Sequence, residues 1–165
     1  MGTLQAVALM AATLTVGLVA GLFFAFACAV MPGLRRSDDR AFVEVMRRIN
    51  AAILNGWFLC CFLGALVFTG LATALHFRAD GRAVLPWSIA ALVLYTVVLI
   101  VTAAVNVPLN NRLEAAGAPQ GGADAAAARE RFEAVWVRWN LVRAVASTAA
   151  FGALAWALVL HGRAA

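Results

Sequence analysis

The chain has 165 residues, 64% hydrophobic and 13% charged, with a mean hydropathy of +0.89. That composition excludes an ordinary soluble domain, in which about half of the residues are apolar. The net charge of +5 does not indicate nucleic acid: all thirteen basic residues are arginines, and outside the apolar runs they form no basic stripe with interleaved aromatics. They read instead as lipid-surface contacts and orientation signals, and arginine used to the exclusion of lysine fits a GC-rich bacterial genome.

Uncharged runs cover 4–34, 49–75 and 83–109, and a fourth at 140–160 is broken only by Arg143. Each exceeds the ~20 residues with which a helix crosses a bilayer. We therefore expect an all-α fold: an integral-membrane, antiparallel four-helix bundle forming one transmembrane domain over 1–165. Its helices are expected at about 4–31, 40–76, 85–107 and 125–161, with a flexible loop at 113–124. The first run has no preceding basic residue and is about twice the length of a signal-peptide core, so it is read as a retained span. Nine arginines in the first and third loops face three on the other side. This predicts a multi-pass protein of the inner cell membrane, with loops 32–48 and 106–138 cytoplasmic and both termini outside.

Along the first span, Thr13, Gly17, Gly21, Ala25 and Ala29 recur every four residues. Such a small-residue stripe admits a close helix neighbour, either internal or a second copy of the chain through the Gly17/Gly21 face. Met31-Pro32-Gly33 is expected to end this helix. Ser37-Asp38-Asp39 then looks like a helix start, followed by an amphipathic turn or two whose charges read as a solvated helix entry. That segment runs on into the second span, where Asn50, Leu54, Trp57 and Cys61 share a face and Asn55 is rotated away.

Asp80-Gly81 makes a short outer turn. His76 and His161, at outer helix ends, read as interfacial polar tips, with a shared metal or haem as the lesser alternative. Cys28, Cys60 and Cys61 all lie within spans and lack both disulfide logic and metal-ligand spacing. Pro86-Trp87 opens the third span, and Pro108 disrupts its last turn, freeing carbonyls beside Asn106, Asn110 and Asn111. Ala146, Ala149, Ala150, Ala153 and Ala157 give the fourth span a small packing face.

The chemistry concentrates in Trp136-Val-Arg-Trp139-Asn140-Leu-Val-Arg143. On a helix, Trp136, Trp139, Asn140 and Arg143 fall at i, i+3, i+4 and i+7, which is one face. Topology brings Asn50, Asn106, Asn110, Asn140 and Arg143 to the same end of the bundle. Polar groups in lipid need partners, because an unsatisfied one costs several kcal/mol. One shared cluster walled by Trp57, Trp136 and Trp139 satisfies that demand. The rival for Arg143 taken alone is snorkelling to the head groups.

Asn106-Val-Pro108-Leu-Asn110 followed by Trp136-x-x-Trp139-Asn140-x-x-Arg143 resembles a family of four-helix membrane proteins of bacteria and fungi, whose named members are anthrone oxygenases of aromatic polyketide pathways. The resemblance implies oxidation of an acidic aromatic CH2 by O2 without cofactor or metal. Arg143, Asn140, Asn106 and Asn110 would hold the developing oxyanion, while Trp136, Trp139, Trp57 and Asn50 would bind a hydrophobic aromatic small molecule. No Asp, Glu or His lies in a span at that end, so deprotonation would fall to water, Glu44 or Asp39. The alternative is a non-enzymatic membrane protein that binds lipid or ligand, or an oligomeric accessory subunit.

Overall fold

The computed structural model describes residues 2–77, 82–117 and 121–164. These residues form five helices and, among them, no strand. We label the helices α1 Gly2–Leu34, α2 Asp39–Ile53, α3 Gly56–Leu75, α4 Leu85–Ala115 and α5 Gly122–Ala164. Four of them, all but α2, are long and apolar enough to cross a membrane. They alternate in direction and close into a ring in which α1 packs on α3 and α5, and α4 packs on α3 and α5. The expected outer turn at Asp80-Gly81 lies outside the described residues.

The core of the ring is built largely from small and aliphatic side chains. Leu9, Ala12 and Val16 of α1 meet Ala65 and Ala72 of α3, Ala91 and Val98 of α4, and Ala150, Leu154 and Ala157 of α5, all buried. Hydroxyls in the spans fold back on their own helices, as Thr13 to the Leu9 carbonyl at 2.7 Å and Thr69 to Ala65 at 2.6 Å, which pairs these donors inside an apolar layer. Tyr95 does the same between helices, donating to the Phe62 carbonyl at 2.8 Å.

The small-residue stripe of α1 is partly used internally. A Cβ placed on Gly17 would lie 2.9 Å from the Phe151 ring of α5, whereas one on Gly21 would meet nothing within 4 Å. Gly17→Leu is therefore expected to lower the thermal midpoint in detergent, by an overpacking cost of about 1–3 kcal/mol. Gly21→Leu is expected to leave it near the parent value, and circular dichroism melts compare the two directly.

Three expectations about the helices need correction. The second span is not one helix over 40–76: it breaks between α2 and α3. Leu54 leaves the helical region (φ −78°, ψ 49°), and Asn55 is extended and caps α3. The Asn55 side chain accepts from the Phe58 N–H at 3.0 Å and donates to the Ala52 carbonyl at 2.9 Å, so one amide closes both helix ends. Asn55-Gly56 is a turn-forming pair, and local hydrogen bonding overrides the apolar run.

Pro108, by contrast, does not end its helix, whereas α1 stops at Leu34, one residue past the expected Met31-Pro32-Gly33 end. A π-helical turn precedes each proline, Phe26–Val30 in α1 and Thr102–Asn106 in α4. In an α-helix a proline ring strikes the carbonyl four residues back. Those residues, Cys28 and Ala104, lie inside the widened turns. The N–H just before each proline bonds five residues back, Met31 to Phe26 and Val107 to Thr102. Helix α4 thus reaches Ala115 and α5 starts at Gly122, so both helices run into the stretch 113–124 expected as a loop.

The charges of α2 are also more than a solvated entry. Phe42, Val43 and Met46 are fully buried against Leu113, Phe132 and Trp136. Around them Arg129 of α5 pairs with Asp39 (2.9 Å) and Glu133 (2.7 Å) while its guanidinium lies 4.6 Å over the Phe42 ring. Arg47 of α2 grips Glu114 of α4 through two bonds, 2.7 and 3.1 Å. That carboxylate holds the Arg47 guanidinium above its ordinary value. So α2 is clamped across the end of the bundle.

At the opposite end His76 is buried and donates from Nδ1 to the Ala72 carbonyl at 2.7 Å, leaving Nε2 to accept from His161 Nδ1 at 3.4 Å. The two expected polar tips pair with each other. Among the described residues no group of three His, Cys, Asp or Glu is placed to hold a metal ion.

Candidate active site at the α2 end

Helix α5 presents Trp136, Asn140 and Arg143 inward, with 4%, 1% and 5% of their surfaces exposed. The Arg143 guanidinium points into the bundle, and snorkelling is excluded. It donates from Nη2 to Asn140 Oδ1 at 2.9 Å and lies 4.3 Å over the Phe23 ring and 5.3 Å from the Trp136 ring. Asn140 is in turn fixed by donating to the Phe23 carbonyl at 3.2 Å. Arg143 Nε has no partner, and no ion pair among the described residues includes this arginine. A buried cation held by an amide and two aromatic faces, without a carboxylate, is the unusual feature of the molecule.

The two α4 asparagines face Trp136 rather than the guanidinium, one at its indole and one at its backbone. Trp136 Nε1 donates to Asn110 Oδ1 at 2.9 Å, and Asn106 Nδ2 approaches the Trp136 carbonyl at 3.5 Å. The Trp136 ring stacks on Phe132 (centroids 5.9 Å apart, planes 25°) and tilts against Phe26 at 5.5 Å. Asn106 Oδ1 and Asn50 Nδ2 are buried without partners. Both π-turns stand at this level, so their widened backbone shapes the site: Phe26 opens one and Asn106 closes the other.

Asn50, Asn110, Trp136, Asn140 and Arg143 border a cavity of about 430 Å³, well within the range of small-molecule sites, with Asn106 just behind Trp136. Phe23 and Phe26 of α1, Ile49, Asn50 and Ile53 of α2, Leu54 at the break, Phe58 of α3, Asn110, Asn111 and Glu114 of α4, and Trp136, Asn140 and Arg143 of α5 line it. Six of the eight residues expected at the site do converge: Asn50, Asn106, Asn110, Trp136, Asn140 and Arg143.

The other two do not. Trp57 is 86% exposed on the outer surface, because the break at Leu54-Asn55 restarts the helix with a new rotation. Trp139 is half-buried beside Arg138, whose guanidinium lies 5.9 Å from its ring. At about 100° per residue it sits roughly 60° around the helix from Trp136 and misses the cavity.

Sequence reasoning missed the aromatic walls supplied by Phe23, Phe26 and Phe58, and it missed Glu114. The signal for Glu114 was its position one turn beyond Asn110, which counts only if the helix survives Pro108. The carboxylates expected to serve as base do not line the cavity: Asp39 pairs with Arg129 and Glu44 with Arg48.

The fold is thus an all-α bundle of helices long and apolar enough to span a membrane, with an aromatic-walled cavity and a buried cation at one end. The anthrone oxygenase family model matches residues 57–153. The match covers more than half of the chain, and the chain belongs to that family. Asn106, Asn110, Trp136, Asn140 and Arg143 fall inside the match, whereas Asn50 and the α1 phenylalanines precede it. No curated protein and no solved structure matches the chain.

Proposed function

We propose that the chain is a membrane-embedded oxygenase that converts the acidic CH2 of an anthrone-like aromatic into a ketone with O2. The observation carrying this reading is Arg143, a buried guanidinium without a carboxylate partner on the wall of an aromatic cavity. Such a charge favours a ligand that is itself an anion, and most of all one whose charge develops during reaction.

Loss of a proton from the CH2 leaves a delocalised carbanion whose charge rests on the ketone oxygen opposite, the atom that Arg143 would hold. This anion passes one electron to O2, and the carbon radical and superoxide combine to a peroxide at the former CH2. Protonation and loss of the second C–H proton break the O–O bond. The product is a ketone, and the other oxygen leaves as water. The electrons come from the substrate, so the reaction calls for no bound cofactor. Trp136, Phe26 and Phe58 would stack on the rings, and Asn140 holds the guanidinium in place.

Purified protein in detergent or nanodiscs, given an anthrone under air, is expected to form quinone faster than spontaneous oxidation. One atom of ¹⁸O from ¹⁸O2 should appear in each quinone. A rate equal to the protein-free control overturns the reading. Binding without turnover would instead support the non-enzymatic, ligand-binding alternative. The arginine asymmetry supports an orientation with the α2 end, and hence the cavity, on the cytoplasmic side.

A further inference from the structure

Resting on that reading, we propose that Glu114 is the base that removes the proton from the substrate carbon. The reaction needs a proton acceptor within reach of the cavity. Of the carboxylates in the described residues, Glu114 is the one on the cavity wall. Asp38 caps the start of α2 through the Ala41 N–H, Asp39 and Glu133 are held by Arg129, and Glu44 pairs with Arg48. Both histidines are at the far end of the bundle.

Position favours Glu114 for a second reason. Arg143 occupies the buried side of the cavity, 5.3 Å from the Trp136 ring, and that indole is bonded to Asn110 at 2.9 Å. Glu114 is four residues beyond Asn110, about 6 Å further along α4, on the more exposed side of the cavity. The guanidinium and the carboxylate therefore face the cavity from opposite ends. In an anthrone the ketone and the CH2 stand on opposite sides of the central ring. A substrate anchored by its ketone oxygen at Arg143 presents its CH2 towards Glu114.

The ion pair with Arg47 fixes the carboxylate in two directions. By stabilising the ionised form it holds the carboxyl below its usual range, so position rather than basicity is what qualifies Glu114. With 58% of its side chain exposed, Glu114 can then hand that proton to water. In the step itself the C–H bond breaks and the proton moves to a Glu114 oxygen. The electron pair enters the ring system as the oxyanion at Arg143. Nothing is oxidised until O2 enters.

Because this step precedes O2, it can be watched alone. Under nitrogen in D2O, the protein is expected to accelerate deuterium uptake at the anthrone CH2, followed by proton NMR. Glu114→Gln is expected to reduce the protein-catalysed exchange by at least about a hundredfold, with substrate affinity, read from tryptophan quenching, within twofold of the parent. Its remaining exchange should rise in proportion to hydroxide, whereas the parent shows a plateau above the carboxylate's titration. Glu114→Asp, which keeps the charge and the contact to Arg47, should recover part of the rate and the plateau, and it stands in should the glutamine variant not fold.

Parent-like exchange in Glu114→Gln, or a hydroxide-proportional profile in Glu114→Asp, overturns the proposal. Accelerated oxidation by the parent without accelerated exchange overturns it too, while leaving the oxygenase reading intact. Accelerated exchange that depends on Glu114 but leads to no oxidation in air supports the base and overturns the oxygenase reading.

Discussion

In an Arg143→Met variant, anthrone oxidation is expected to fall by about 10²–10³-fold, while the thermal midpoint of the purified protein stays level or rises. Both halves follow from one fact: the guanidinium is buried, yet the described residues offer it a single amide oxygen, two aromatic faces and no carboxylate. Holding an ion away from water without a counter-charge is costly, and replacement by an apolar side chain of similar volume is often neutral or stabilising. Methionine has that volume and can still rest on Phe23 and Trp136. What it cannot do is meet a developing oxyanion.

Arg143→Lys keeps the charge but loses the planar fork that bonds Asn140 and stacks on the rings, and it should retain only part of the activity. Quinone absorbance against a protein-free control, with circular dichroism melts of the same preparations, measures both quantities. Activity preserved in the methionine variant would remove Arg143 from the mechanism. A melt lowered by several kcal/mol with activity lost would reassign it to structure.

Trp136 is expected to be the second most sensitive position, and here stability and binding should fall together. Its indole stacks on Phe132, touches Phe26, lies beside Arg143 and donates to Asn110, so three helices, α1, α4 and α5, meet on one ring. Truncation to alanine removes all of these contacts and should cost about 3–5 kcal/mol, with at least a tenfold loss of affinity for an aromatic ligand. Trp136→Phe keeps a ring in place but leaves Asn110 Oδ1 without its donor, a defect of about 1–3 kcal/mol. The phenylalanine variant should therefore bind nearly as well as the parent while melting lower. Titration of an anthrone against both variants, read alongside their melts, separates stacking from the hydrogen bond. Equal affinity in Trp136→Ala and the parent would show that the ligand sits elsewhere.

The membrane bundle and the convergence at Asn50, Asn106, Asn110, Asn140 and Arg143 were legible in the chain. Hydrophobic length sets the spans, and short connections between them dictate which polar residues share an end. The rotation of individual side chains was not legible, because it depends on where the helical phase is reset. Asn55 breaks the second span and swings Trp57 outward. The π-turns at Phe26–Val30 and Thr102–Asn106 each shift the residues that follow, and the second lets α4 run through a proline that ordinarily stops a helix. Glu114 reaches the cavity only through that continuation. The aromatic walls from α1 were hidden for another reason: a phenylalanine in an apolar run looks the same whether it faces lipid, core or ligand.

The joint between α2 and α3 gives the cavity an unusual boundary. Ile53, Leu54 and Phe58 form part of its wall, and on their outer side Leu54 and Trp57 are exposed, 68% and 86%, to whatever surrounds the bundle. For a bundle in a bilayer that surrounding is lipid, and an exposed tryptophan is favoured at head-group depth. A greasy polycyclic substrate dissolves there long before it reaches a useful concentration in water. The quantity that fills such a site is then its mole fraction in the membrane, and added phospholipid acts as a diluent: at constant total substrate, more vesicles mean slower turnover.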